Sequence, residues 1–333
     1  MIRIGVVGLR FGARIHAAAF CGDSRCVVTG LAGRTLDNTR TVAAELGIPG
    51  AYGGWRELLA EGAIDAVSIA VPPSEQPAII VEAARRGIHV FCEKPLAATV
   101  AAAEAAVDAV RAFRVVHAMD FIFPEIPAWQ QMRDLLVSGA IGPVQHFSYG
   151  WHVETSASRL KEDSWKTRSG EGQGVVANFV PHIIFNIEWL LGPIAEIETL
   201  RPRGTRTAAS FCDCVMHLEG GVHGTVSVSA DAYLGEGHRV VVFGESGTME
   251  LRNTTADHAG GFELRFGTRE TGRFDALTRD AARSEGDGRI APVGRIAGRF
   301  LDGITGGGVP TPNLADGLRI QRWLERLNDA HAG

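Results

Sequence analysis

The run RIGVVGLRFGARIH, residues 3–16, can do chemistry. A strand, a tight glycine turn and a helix start, in that order, cradle a dinucleotide's pyrophosphate. The first glycine makes the turn, the second lets the backbone approach the phosphates, and the third admits close helix packing. Gly8, Arg10 and Ala13 hold those places here, with Gly12 adjacent. Alanine is accepted at the third place, whereas Arg10 departs from the second. Exposed amides at a helix start still attract phosphate, and an outward arginine can pair with a phosphate oxygen. From this loop alone, a ligand-free turn of an α/β protein stays open.

The next strand ends in LAGRT, residues 31–35. An acid there reads the ribose hydroxyls of NAD, while arginine suits a 2′-phosphate. Gly33, Arg34 and Thr35 supply a cation and a hydroxyl but no acid, which favours NADP(H) over NAD(H). A solvated strand end is the plainer alternative. The eleven histidines are scattered, with neither HExxH nor paired Cys/His spacing, so no metal site is expected. His152, His217 and His223 lie in strand-like runs and read as structural. No GxSxG elbow suggests hydrolysis.

The elements that must position this loop alternate over the first 120 residues. Apolar strands (RIGVVGL, CVVTGLAGR, IDAVSIAVPP, IHVFCEKP, VVHAMDF) are separated by helices (LDNTRTVAAELG, SEQPAIIVEAARRG, TVAAAEAAVDAVRAF). Ser74 is the expected cap of the second helix, and Gly87 stands at its C-terminal end. Such alternation predicts a parallel sheet covered on both faces, a Rossmann domain over residues 1–120. The pattern then changes. A helix ends at Gly139, VQHFSYGWHVE alternates as a strand, and VVANFVPHIIFNIEWLLG reads as a buried helix. Strand-like runs with short turns follow from residue 194, then two late helices. The expected fold class is α/β: the Rossmann domain, then an α+β domain over residues 121–333 with an open, mostly antiparallel sheet.

Net charge is −5 without a long basic run, so nucleic acid is not an expected partner. Apolar runs are short or broken by charge, so no membrane span is expected. Five cysteines without CxxC spacing fit reduced thiols, and the N-terminus carries no signal-peptide pattern; both point to the cytoplasm.

VFCEKPLAAT, residues 90–99, together with the N-terminal loop and VSIAVPP, resembles the Gfo/Idh/MocA oxidoreductase family. LLVSGAIGPVQHF, GQGVVANFVPHIIFNIEWLLG, VVVFGESGTMEL and PTPNLADGLRIQRWLERL carry the resemblance along the whole chain. It implies a nicotinamide-dependent dehydrogenase or reductase acting on sugars, sugar nucleotides, inositols or related polyols. Lys94 matches the family's lysine beside the nicotinamide and the reacting hydroxyl or carbonyl. Hydride transfer to a ketone leaves a developing alkoxide, which needs a proton and a nearby positive charge. A lysine with a lowered pKa supplies both. Gly8, Arg10, Phe11, Gly12, Arg34 and Thr35 are then expected at the cofactor, as are Val71, Pro72, Glu93 and Lys94. Glu93 is also expected beside the substrate.

The second domain departs from the family. Its D-x-x-x-H pair and further acid become Asn178, His182 and Phe185. Asn178 can orient a hydroxyl but exchanges no proton. His182 is read as a second catalytic residue, with a hydrogen-bonded core histidine as the alternative. Pro181 fits only in a helix's first turn. The family's Asn-Arg before this domain is Met119 and Asp120, so Asp120 is a substrate contact or a strand-end acid. Trp165, Lys166 and Arg168 are candidates for gripping a sugar ring or an anionic group; an ordinary surface loop is the other reading. The resemblance also implies a homodimer or homotetramer paired through the open sheet. Arg10, Asn178 and Phe185 leave a second function class, a non-catalytic dinucleotide-binding regulator.

Overall fold

A computed structural model of the chain describes residues 1–170, 172–200, 210–279 and 286–332, which form two compact units. The first is Met1–Ile122 with Arg289–Gln321. It holds β1 (Ile2–Val7), a π-helical turn Gly12–His16 running into α1 (Ala17–Cys21), β2 (Cys26–Ala32), α2 (Leu36–Leu46), β3 (Gly50–Tyr52) and α3 (Trp55–Glu61). Next come β4 (Ala66–Ile69), α4 (Gln76–Arg85), β5 (His89–Cys92), α5 (Val100–Ala112) and β6 (His117–Met119). Later in the chain, α10 (Ile290–Gly306) and the first part of α11 (Leu314–Ala332) belong to the same unit.

Its six strands are all parallel, in the order β3-β2-β1-β4-β5-β6. β1 therefore lies between the strands of two oppositely wound halves. In such sheets the crevice beyond the carboxyl end of that strand is where ligands bind. Strand β4 is buried at every position, as expected for a sheet covered on both faces. A single cut at residue 120 does not describe the unit, because Arg289–Gln321 packs into it. The reason is aromatic: Phe300 of α10 lies 5.8 Å from Phe91 of β5 and 6.4 Å from Phe20 of α1. β3 and α3 escape the sequence pattern because three and seven residues are too few to show a period. The cap of α4 is Glu75 rather than Ser74, with Pro77 in its first turn.

The second unit is Phe123–Gly288 with Arg322–Gly333. It opens with α6 (Pro127–Val137), β7 (Val144–His152), α7 (Ser156–Arg159), α8 (Gly174–Asn178) and α9 (Val180–Leu191). The strands β8 (Ile194–Leu200), β9 (Phe211–Leu218), β10 (His223–Ser229), β11 (Gly237–Gly244), β12 (Gly247–Asn253), β13 (Glu263–Thr268) and β14 (Asp275–Arg279) follow. They form one sheet ordered β14-β13-β12-β11-β7-β10-β9-β8, antiparallel throughout except for the parallel pair β7–β10. In β7 the buried Phe147, Tyr149 and Trp151 alternate with half-buried His146, Ser148 and Gly150. The strand expected from residue 194 to 203 lies outside the described residues beyond Leu200. Among the described residues no helix is long and apolar enough to cross a membrane.

Candidate functional site

The glycine turn stands at the carboxyl end of β1. Gly8 has φ +115°, and a Cβ there would meet the Ala70 carbonyl oxygen at 2.3 Å, so no other residue fits. The amide of Ala13 donates to the Gly8 carbonyl at 2.9 Å, which closes the turn onto the helix start. A Cβ on Gly12 would lie 3.2 Å from both Ala70 Cβ and Val6 Cγ1. Gly12 thus does the close packing that the fingerprint assigns to Ala13's place. Arg10 is exposed on the outer side of the turn, where no glycine is required.

At the end of β2, Arg34 is 84% exposed and 3.3 Å from Glu75 Oε1. Thr35 caps α2 through its extended backbone, with no side-chain cap bond. Val71 and Pro72 follow β4 and are half-buried. A turn built for close approach, a helix start behind it and an exposed guanidinium fit a phosphate-bearing dinucleotide.

β5 delivers the Glu93–Lys94–Pro95 turn, whose Lys94–Pro95 peptide is cis. The Glu93 amide donates to Ile69 O of β4 at 2.9 Å. The fully buried Gln76, first residue of α4, donates through Nε2 to the carbonyls of Glu93 (2.9 Å) and Pro95 (2.6 Å). Lys94's own amide donates to Glu93 Oε2 at 3.1 Å. The backbone on both sides of Lys94 is therefore held, while its side chain is half-buried.

Behind the turn lies a buried polar set. His16 (side chain 0% exposed) reaches Ser68 Oγ through Nδ1 at 2.8 Å, Glu93 Oε1 through Nε2 at 3.2 Å and Asp120 Oδ2 at 3.4 Å. An oxygen of each carboxyl group lies within 4.8 Å of the other. Burial lowers a histidine, but hydrogen bonds to Asp120 and Glu93, then their charges, outweigh it and raise His16 to about 9. Its imidazolium then donates from both nitrogens. Burial would raise Glu93, yet the His16 hydrogen bond and the charges of His16 and Lys94 hold it well below the usual range. Asp120 is pushed up, first by burial and then by the Glu93 charge. The donor atoms of His16, Glu93 and Asp120 lie within 4.8 Å of one another, spacing a cation could use. In their present arrangement, protons already join them.

In the second unit, Phe179 (φ −109°, ψ −43°) separates α8 from α9, so Asn178 and His182 stand on different helices. Pro181 lies in the first turn of α9, as its chemistry requires. His182 is 8% exposed and packs edge-on against Phe123 at 5.1 Å. Nearby, Asn186 Nδ2 donates to Tyr149 Oη (3.0 Å), and that hydroxyl shares a hydrogen bond with His238 Nε2 (2.6 Å). Trp151 stacks on His238 at 4.2 Å and 3°. Burial holds His238 down to about 3, so its ring is neutral and can accept. Lys166 Nζ is 5.6 Å from the Trp165 ring centre, and Arg168 pairs with Asp163 at 2.5 and 2.6 Å.

Two family models match the chain. Residues 2–121 match "Oxidoreductase family, NAD-binding Rossmann fold", and residues 129–250 match the "GFO/IDH/MocA C-terminal domain". The chain belongs to the Gfo/Idh/MocA oxidoreductase family. An uncharacterized oxidoreductase of Synechocystis sp. is 26% identical over 99% of this chain and 94% of its own length. A levoglucosan dehydrogenase of Pseudarthrobacter phenanthrenivorans is 26% identical over 60% of this chain and 53% of its own. A solved levoglucosan dehydrogenase, in complex with NADH and L-sorbose, shares the fold with a TM-score of 0.86 at 21% identity. That match covers 100% of this chain and 97% of the other.

Within this Gfo/Idh/MocA chain, Gly8 and Gly12 stand beyond the carboxyl end of β1, and Glu93 and Lys94 beyond that of β5, the two strands that flank β4. Asp120, read as a substrate contact or a strand-end acid, is 1% exposed and turned to His16 and Glu93, because β6 ends directly beside β5. Sequence reasoning missed three residues. His16 and Ser68 belong to no motif and meet only through folding. Gln76 reads as an ordinary first-turn residue, although an uncharged polar side chain that is wholly buried needs partners.

Proposed function

We propose that the chain transfers hydride between a nicotinamide dinucleotide and a hydroxyl or carbonyl of a sugar, sugar nucleotide or cyclic polyol, with NADP(H) favoured over NAD(H). The observation that carries this reading is Lys94, held at both flanking carbonyls by Gln76 beyond the end of β5. A side chain on so constrained a backbone is suited to one task. The levoglucosan dehydrogenase relative supports the sugar-like substrate class.

The turn Gly8–Gly12, with Arg10 and Phe11, would hold the pyrophosphate, and Val71 and Pro72 the neighbouring wall. Arg34 and Thr35 would meet a ribose 2′-phosphate, a guanidinium being the better partner for a dianion. The nicotinamide, when bound, gives or accepts the hydride. On carbonyl reduction, Lys94 Nζ gives a proton to the developing alkoxide; on oxidation its neutral amine takes the hydroxyl proton. Asn178 orients a hydroxyl, His182 assists the proton transfer, and Trp165 and Lys166 grip the substrate. The active form is a homodimer or homotetramer.

Lys94→Met is expected to leave dinucleotide binding, read by fluorescence titration, nearly intact while abolishing turnover on a sugar and polyol panel. Retained turnover refutes the role. Asn178 and Arg10 favour one other reading, a dinucleotide-binding regulator. It gains if the wild-type protein binds dinucleotide tightly and turns over nothing in either direction.

A further inference from the structure

The set formed by His16, Glu93 and Asp120 has more charge than a structural knot needs. One cation faces two acids where water is excluded: His16 and Asp120 are at most 1% exposed and Glu93 is 14% exposed. Glu93 spans the set and the turn, since Oε1 meets His16 while Oε2 accepts from the Lys94 amide. Asp120 is fixed in place, its amide bonded to Cys92 O at 2.9 Å. Its Oδ2 faces His16, and Oδ1 is buried without a hydrogen-bond partner among the described residues. A buried carboxylate oxygen with nothing to donate to it favours the protonated acid.

We propose that Asp120 is a positioning residue for Lys94: acting through Glu93 and His16, it decides how much negative charge lies behind the lysine. The proposal deepens the acid–base reading of Lys94 and, for its catalytic consequence, rests on it. With Asp120 protonated, the set is neutral: His16 positive, Glu93 negative. With Asp120 ionised, it carries one net negative charge, and since the Lys94 charge already acts on Glu93, the added negative charge favours the proton on the amine. Asp120 thus keeps Lys94 a competent proton donor at higher pH than the neutral set would.

Other titratable or charged groups facing the set within this unit are few. Cys92 of β5 is buried, its thiol pushed well up by burial and then by the charges of Glu93 and Asp120, so it stays neutral. Arg289 lies 4.9 Å from the Phe11 ring centre, and that ring separates it from His16. Ser68 of β4 and Gln76 of α4 are uncharged.

The test needs no substrate. Competitive acetylation with acetic anhydride across pH, read by mass spectrometry of the Lys94 peptide, gives the amine's midpoint. The chain has two further lysines, Lys161 and Lys166, which serve as internal references. Asp120→Asn is nearly isosteric and removes an acid that, pushed up to about 7, is ionised in the alkaline range where a lysine amine titrates. It is expected to lower the Lys94 midpoint by about one pH unit and to leave both references and dinucleotide binding unchanged. Ser68→Ala loosens the same set without changing its charge and is expected to leave the midpoint in place. An unmoved midpoint in Asp120→Asn overturns the proposal, as does an equal shift in Ser68→Ala. If Lys94→Met keeps its turnover, the acid–base reading fails while the labelling result still decides whether Asp120 sets the charge.

Discussion

Replacing Gln76 with methionine keeps its length and apolar stem but removes the Nε2 donor. Two buried carbonyls, Glu93 O and Pro95 O, then lose a partner. A net hydrogen bond is worth about 0.5–1.5 kcal/mol, and an orphaned buried group costs about 1–3 kcal/mol. Carbonyls tolerate loss better than amides, because each has two lone pairs. Gln76 Oε1 already lacks a hydrogen-bond partner among the described residues, so removing it recovers part of the cost. The two bonds together should therefore be worth about 2–3 kcal/mol to this unit. The turn itself should loosen, and a displacement of about 1 Å at a reacting group can cost roughly a hundredfold in rate. Denaturant unfolding followed with and without dinucleotide isolates the transition of the nucleotide-binding unit. The variant should unfold earlier by the stated amount, with kcat reduced far more than KM is raised. Wild-type stability together with wild-type kcat would refute the reasoning, because the two carbonyls would then not need Gln76.

Two further outcomes are expected. Arg34→Ala should weaken NADPH binding at least tenfold, as loss of a charge-assisted contact implies, and leave NADH nearly unchanged; fluorescence titration of both dinucleotides checks it, and an equal loss for both would remove Arg34 from the 2′-phosphate. The pH dependence of stability has two sides. His238, held to about 3 by burial against an ordinary 6.5 in the unfolded chain, contributes stability that is complete above 6.5 and lost as pH falls toward 3. His16, raised to about 9 against burial by its hydrogen bonds to Asp120 and Glu93, contributes stability that is complete below 6.5 and lost as pH rises toward 9. Each slope reaches about 1.4 kcal/mol per pH unit. His238→Gln should flatten the acid limb alone, and an unchanged acid limb in urea unfolding would show that His238 is not buried neutral.

The sequence makes the nucleotide-binding unit legible because its determinants are local. Gly8 must be glycine for its own backbone, and the β4 segment shows its two-sided burial as an apolar run broken only by Ser68. The Glu93–Lys94–Pro95 turn is equally contiguous. What stayed hidden is made of partners far apart in sequence: Ser68 is 52 residues from His16, and Glu93 is 77. Nothing about a histidine in HAAAF announces two acids and a hydroxyl. Asp120 was noticed for its position but left open between a substrate contact and a strand-end acid, since strand order and burial decide which way such an acid turns. The helix read as one piece over residues 175–192 is two, because the break at Phe179 carries no glycine and Pro181 marks only the second start.

The use of lysine bears on the site as a whole. Of the 33 basic side chains, 30 are arginine, and lysine occurs only at 94, 161 and 166. Several ion pairs among the described residues use arginine as the fixed positive charge: Arg3 on Asp65, Arg239 and Arg265 on Glu250, Arg252 on Glu263. An arginine at position 94 would keep the positive charge that acts on Glu93, with five donors and a planar fork. It would not release a proton, since a guanidinium stays charged throughout the accessible pH range. A lysine in this held turn of an arginine-rich chain is what the proposed proton exchange requires, whereas a fixed charge alone would be met by arginine. The same argument says what Lys94→Arg should do. Dinucleotide binding should survive, and turnover should fall nearly as far as in Lys94→Met. A Lys94→Arg enzyme that works as well as wild type would mean that position 94 supplies only charge, and the proton must then come from elsewhere.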